Sequence, residues 1–243
     1  MQRRVYVETF DHGAAGWVGW SWIGRNRETG PVAVEVHDSL IVSRSPWWVD
    51  PNHTSPQGGH LHILFGLHLK HYPDFPKEVL ELGGTNPYVE AGFPTNLTNA
   101  TLTVRLKGDV KLRGAQLLLH VQANVPTASR PVNVVNQVLI GQPLTITRDW
   151  SEQTLHLVPD QTQWRDLGSH STRRDRFGHA PIAEVLRDVN CNIIFVLFPL
   201  DVVPRDPQRV VTEQDYAERD FEVDPTRLPE GHVMLDEVRI EFP

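Results

Sequence analysis

Period-two patterns of apolar and polar residues dominate this chain. Eight segments read as strands: RVYVETF (4–10), VAVEVH (32–37), LHILFGLHL (61–69), ATLTVRLKG (100–108), QLLLHVQANV (116–125), QTLHLV (153–158), NIIFVLFPL (192–200) and HVMLDEVRIEF (232–242). Between them lie clusters such as DPNHTSPQGG, GGTNP and PEGH, which break regular structure. Nineteen prolines spread along the chain suit sandwich loops better than helices. PIAEVLRDVN (181–190) predicts a helix, with Pro181 in its first turn and Ile182, Val185, Leu186 and Val189 at helical spacing. A second short helix is expected in PKEVLEL. No linker or repeat divides the chain, so residues 1–243 predict one all-β domain: an antiparallel β-sandwich of the jelly-roll type, with one or two short helices. Segments 126–152 and 201–231 carry few clean strand patterns and read as long loops.

Successive side chains of a strand point to opposite faces, so each pattern sorts its residues. In GGHLHILFGLHLKHY (58–72), Leu61, Ile63, Phe65, Leu67 and Leu69 are expected to face the core, and His60, His62, Leu64, Gly66 and His68 to face away. In QLLLHVQANV, Leu117, Leu119, Val121, Ala123 and Val125 turn inward, while Gln116, Leu118, His120, Gln122 and Asn124 turn outward. The outward sets mix imidazole and amide groups and hold no carboxylate. Such neutral planar donors and acceptors meet sugar hydroxyls at fixed angles. If the two strands share a sheet, His60, His62, His120, Gln122 and Asn124 line one groove. Trp47 and Trp48, in SPWWVDPNH, stand at its mouth, where an aromatic face can stack on the C–H surface of a sugar ring. His68 and His71 lie farther along and are set aside. The wet face of an antiparallel sheet offers a plainer reading of the same residues. A metal on His60 and His62, which share a strand face, lacks an obvious third ligand.

Composition narrows the partners. A formal net charge of −7 with no basic run disfavours nucleic acid and polybasic membrane attachment. No apolar stretch approaches the roughly 18 residues of a spanning helix. Cys191 is the single cysteine, which excludes an internal disulfide and a Cys-based zinc site; within NCNIIFVLF it reads as a small buried hydrophobe. The start, MQRRVYVETFD, has arginines but no apolar core of a signal peptide, so a cytoplasmic location is expected unless a leader has been removed.

Both ends of the chain carry a further pattern. VETFDHGAAGW (7–17) and VMLDEVRIEF (233–242) resemble the first and last strands of carbohydrate-binding modules with the galactose-binding-like jelly-roll fold. In that family the first strand bears an acidic residue and an F-D/E-x-G…W turn, and the last bears an Asp-acidic-Val element that pairs with it. The resemblance implies a structural Ca²⁺ between the terminal strands, with Glu8, Asp11 and Asp236 as its side-chain ligands. Hard oxygen ligands suit that ion.

The leading expectation is a protein that binds an oligo- or polysaccharide in a His/Gln/Asn-lined groove flanked by tryptophan. An enzyme reading, as polysaccharide lyase or glycoside hydrolase, would use the same groove with His60, His62 or His120 as acid or base. Arg173, Arg174 and Arg176 in STRRDRFGH could then meet an anionic substrate. A hydrolase wants two facing carboxylates, which the histidine strand does not supply. A third reading is a non-catalytic structural or protein-interaction domain.

Overall fold

The computed structural model describes residues 4–23, 28–50, 60–69, 81–126, 134–168, 177–204, 221–222 and 224–243. In chain order the first strands are β1 (Val5–Glu8), β2 (Trp17–Ile23), β3 (Glu28–Ala33), β4 (Glu35–His37), β5 (Leu40–Arg44), β6 (Val49–Asp50) and β7 (Leu61–His68). There follow β8 (Thr101–Lys111), β9 (Gln116–Asn124), β10 (Val134–Leu139), β11 (Ser151–His156), β12 (Trp164–Asp166) and β13 (Phe177–Gly178). The last are β14 (Asn192–Phe198), β15 (Val203–Pro204), β16 (Phe221–Glu222) and β17 (Glu230–Glu241).

Among the described residues these strands make two main sheets, of six and nine strands. The smaller runs β11-β8-β17-β5-β4, with β1 paired to β17; the larger runs β12-β10-β9-β14-β7-β2-β3, with β6 on β7 and β13 on β10. The pairing is antiparallel except for β10 with β13. The last strand, β17, is central in the smaller sheet, between β8 and β5, and β1 pairs along it, Glu8 opposite Val238.

The two sheets face each other across one core. Leu102, Val104, Leu106, Val233 and Leu235 of the smaller sheet pack with Leu117, Leu119, Val121, Ile193 and Phe195 of the larger. Trp17 is a core plug, its indole stacked on Phe195 with ring centroids 5.9 Å apart. This is the antiparallel β-sandwich that the alternation implies. The larger sheet is also covered on its other face. There Trp20, Trp48, Leu61, Ile63, Leu118 and Val196 form a second apolar cluster. Strands buried on both faces lose their polar alternation and read as continuous apolar runs.

That second cluster corrects the facing expected for the histidine strand. Phe195 of β14 lies opposite Phe65, but the next residue, Val196, lies opposite Ile63, so Leu64 is an extra residue in β7. A bulge of this kind shifts the side-chain alternation by one. Phe65, Leu67 and Leu69 keep the inter-sheet core and Leu64 joins them, whereas Leu61 and Ile63 turn to the opposite face. A second bulge, at Asp236 of β17, lies between Leu235 opposite Leu106 and Glu237 opposite Arg105.

The predicted helix over 181–190 is present as Ile182–Arg187, burying Ile182, Val185 and Leu186. A short helix also spans Pro87–Glu90, its first turn capped by the Asn86 side chain. PKEVLEL lies largely outside the described residues, as do Lys70, His71, Arg173, Arg174 and Arg176. Segment 126–152 is not all loop, because β10 crosses it with six buried residues. Its sequence, VVNQVL, is apolar on both faces with an amide on each, which period-two reading does not detect. No helix among the described residues is long and apolar enough to cross a membrane.

Candidate functional site

The structure divides the expected groove into two places on opposite faces of the larger sheet. β7 and β9 do share that sheet, but β14 runs between them. On the outer face, the face away from the smaller sheet, register sets four polar residues in one row across four strands. His68 lies opposite Asn192, Asn192 opposite Gln122, and Gln122 opposite Asn136. Their hydrogen bonds form a chain. His68 Nδ1 bonds Asn192 Oδ1, Asn192 Nδ2 donates to Gln122 Oε1, and Gln122 Nε2 donates to Asn136 Oδ1 at 2.5 Å. His120 Nε2 meets the same Asn136 oxygen at 3.2 Å. An amide oxygen accepts only, so His68 carries its proton on Nδ1 and His120 on Nε2.

This row is buried: His120 and Asn136 are fully enclosed, and Gln122, the most accessible member, is 5% exposed. Burial of His68 pulls its pKa from 6.5 down to about 4, against a partial upward pull from the Asn192 hydrogen bond. The Asn136 amide nitrogen has no hydrogen-bond partner among the described residues. Trp20 lies over Gly66, where a Cβ would come within 2.9 Å of the indole, and meets His68 edge-on at 5.5 Å between centroids. The glycine in FGLH is therefore what lets the indole close down beside the row.

Of the residues expected in the groove, His120 and Gln122 belong to this row. Asn124 lies two residues beyond Gln122 at the half-buried strand end, its backbone N–H donating to Asn190 Oδ1 at 2.8 Å. Trp48 is on the same face, within the outer apolar cluster. His60 is buried just before β7, and its carbonyl accepts from the Leu200 N–H. Three members of the row were not expected there. His68 keeps the outward face that alternation gives it and enters the row; the bulge at Leu64 instead turns His60 and His62 away from that face. Asn192 and Asn136 are amides set in otherwise apolar strands, NCNIIFVLF and VVNQVL, and that incongruity is the available signal. Cys191, beside Asn192, is the buried small residue its context implied.

Trp47 and His62 form the second place, at one end of the sandwich. Their rings lie 5.8 Å apart, tilted by 45°, in the wall of a pocket of about 560 Å³. Ser45, Arg113, Thr226 and Glu230 complete its polar lining, with Pro46, Pro225, Leu228 and Pro229 between them. Trp47 is tethered by its indole N–H, which donates to Ser43 Oγ at 2.8 Å. His62 is fixed through Nδ1, 2.8 Å from the Trp48 carbonyl oxygen. A carbonyl only accepts, so Nδ1 holds the proton and Nε2 is left with its lone pair. Burial lowers the His62 pKa from 6.5 to about 4, so the ring is neutral near pH 7. His62 is 1% exposed, and Nε2 has no hydrogen-bond partner among the described residues. A buried acceptor left unsatisfied carries a cost that a ligand donor would remove.

The three carboxylates implied for calcium are placed as follows. Glu8, on β1, accepts from the Phe10 N–H at 2.7 Å, and burial raises its pKa. Asp11 is exposed and takes hydrogen bonds from Ser39 and Thr9, which lower its pKa. Asp236, pushed out by its bulge, is ion-paired with Arg105. Among the described residues no three His, Cys, Asp or Glu side chains converge as a metal-holding group. As placed, then, these three do not fit a ready ligand set.

No family model matches the chain, and no curated protein matches it. Among solved structures, one from work on the endo-acting O-glycanases with which prominent members of the human gut microbiota initiate mucin breakdown is similar to it. The identity is 12%, with 97% of this chain and 98% of that one covered, at a TM-score of 0.39.

Proposed function

We propose that the protein binds a carbohydrate and that the Trp47–His62 pocket receives it. One observation carries this reading: His62, a buried neutral imidazole whose Nε2 acceptor has no partner among the described residues, lines an open pocket beside an indole. A sugar hydroxyl donates to such an acceptor, and the C–H face of its ring packs on an aromatic surface. Ser45, whose Oγ accepts from the Gly231 N–H, keeps a hydroxyl proton to donate, and Thr226, whose hydroxyl donates to Asp224, keeps lone pairs to accept. Binding is favoured over hydrolysis because Glu230 is the one carboxylate among the described lining residues, where a glycosidase needs a facing pair. Burial also lowers the His62 pKa to about 4, which makes its Nε2 a weak base near pH 7.

The test is ¹⁵N NMR of the histidine rings during titration with a panel of methyl glycosides and oligosaccharides. Binding moves the His62 Nε2 resonance from a free pyridine-type position toward a hydrogen-bonded one. A panel that leaves His62 unmoved overturns the reading. The unpartnered Asn136 amide nitrogen supports a second reading, in which the glycan reaches the buried row instead. The same spectra then show His68 and His120 moving while His62 stays still.

A calcium ion between the terminal strands, the implication of the end-strand resemblance, would have to draw Asp236 away from Arg105. If it does, EDTA lowers the thermal midpoint by several degrees and added Ca²⁺ restores it. An unchanged midpoint retires the ion.

A further inference from the structure

We infer that the pocket is built for an acidic saccharide, one that carries a carboxylate or sulfate. This rests on the carbohydrate reading above and adds the charge of the ligand. The observation behind it is the charge pattern around the pocket.

Five charged side chains lie in or beside the lining, apart from Arg113. Glu230 faces Lys111 at 3.5 Å, and Arg227, between the lining residues Pro225 and Leu228, is ion-paired with Asp201 at 2.5 Å. Asp224, which accepts from the lining Thr226, adds a second carboxylate beside Arg227, so each of these two cations has its own counter-charge. Arg113 does not share in this: it lines the pocket, is exposed, and has no hydrogen-bond or ion-pair partner among the described residues. It stands in the turn between β8 and β9 with φ of 53°, ahead of Gly114 at φ of 93°. That left-handed pair fixes where the guanidinium leaves the chain. Arg113 is thus a lining guanidinium that no carboxylate holds among the described residues, on a protein whose formal net charge is −7.

The ligand this arrangement selects has three parts. A hydroxyl donates to His62 Nε2, a C–H ring face lies against Trp47, and an anionic group answers Arg113. The guanidinium fork meets a carboxylate or a sulfate in a paired, charge-assisted geometry, which is why arginine rather than lysine suits this position. A neutral sugar satisfies the first two contacts and leaves the third to water. Acidity is therefore a matter of selectivity at the rim, while His62 and Trp47 supply binding common to both kinds of sugar.

The experiment uses matched pairs of probes that differ only in the anionic group. Methyl β-D-glucuronide is compared with methyl β-D-glucoside, methyl α-D-galacturonide with methyl α-D-galactoside, and galactose 6-sulfate with galactose, each by calorimetric titration. We expect the acidic member of at least one pair to bind about tenfold tighter at low salt, with the gap narrowing as ionic strength rises. The uronides and the sulfate ester then tell which anion is taken. Arg113→Asn, chosen because asparagine tolerates the positive φ, is expected to bring the two members of the pair within about twofold of each other. Equal affinity within every pair, or a preference that survives Arg113→Asn, overturns the acidic assignment while leaving the carbohydrate reading standing. No binding by any probe, acidic or neutral, overturns both.

Discussion

Replacing Asn192 by alanine is expected to lower the unfolding free energy by about 3–5 kcal/mol, read from urea denaturation near pH 7. Asn192 is the middle of the buried row. It accepts from His68 on one side and donates to Gln122 on the other. Removing the amide strands a donor and an acceptor, and neither residue can turn to water, since His68 is 3% and Gln122 5% exposed. Each stranded group costs roughly 1–3 kcal/mol, and the emptied volume adds to that. Gln142 provides the contrast. It makes comparable hydrogen bonds, to Gln163 and the His156 backbone, but on the exposed side of the molecule. Gln142→Ala should cost no more than about 1 kcal/mol, because water replaces what is lost. If Asn192→Ala costs as little as Gln142→Ala, the row is open to solvent and its enclosure is wrong.

The row and the pocket differ in how far they could be read from sequence. Period-two alternation assigned His120 and Gln122 to one face of β9 correctly, because β9 carries no irregularity. The same rule misassigned Leu61, Ile63 and Leu64 in β7, because one bulged residue reverses every facing beyond it and leaves no mark in the pattern. For the same reason the two histidines judged nearest in function, His60 and His62, do not join His120, whereas His68 does. What connects β7 to β9 is β14, and a strand apolar on both faces does not announce where it pairs. The pocket was half legible. Trp47 and His62 were both named as ligand contacts, and they do stand together, 5.8 Å between rings. Their setting was not foreseen, because Arg113, Thr226 and Glu230 lie more than 40 residues away along the chain and meet them only through sheet topology. Local pattern encodes which residues are strand; it does not encode which turns share an end of the sandwich.

Acid should unfold this protein before its carboxylates are fully titrated, and two of its buried histidines, His62 and His68, are a main cause. His62 and His68 have pKa values lowered from 6.5 to about 4 by burial. The unfolded chain takes up these two protons as pH falls through 6.5, whereas the folded chain refuses them until near 4. Between those values the unfolded state binds more protons, so stability falls as pH falls. Above pH 6.5 both rings are neutral in either state, and their contribution is fully present. A difference of this size is worth roughly 3 kcal/mol for each histidine, so the pair can remove most of the 5–15 kcal/mol that holds a typical domain folded. Glu8 pulls the other way: its pKa is raised by burial, so the folded state takes its proton first and is relieved as pH drops. One partly buried carboxyl offsets only part of two enclosed imidazoles. Urea midpoints at pH 7, 6, 5 and 4 should therefore decline steadily, with a slope approaching two protons near pH 5. His62→Gln, which cannot be protonated, should halve that slope whatever it does to the stability at pH 7. A slope unaffected by that change would mean that His62 is reached by water in the folded protein, and the unsatisfied acceptor on which the pocket's chemistry depends would go with it.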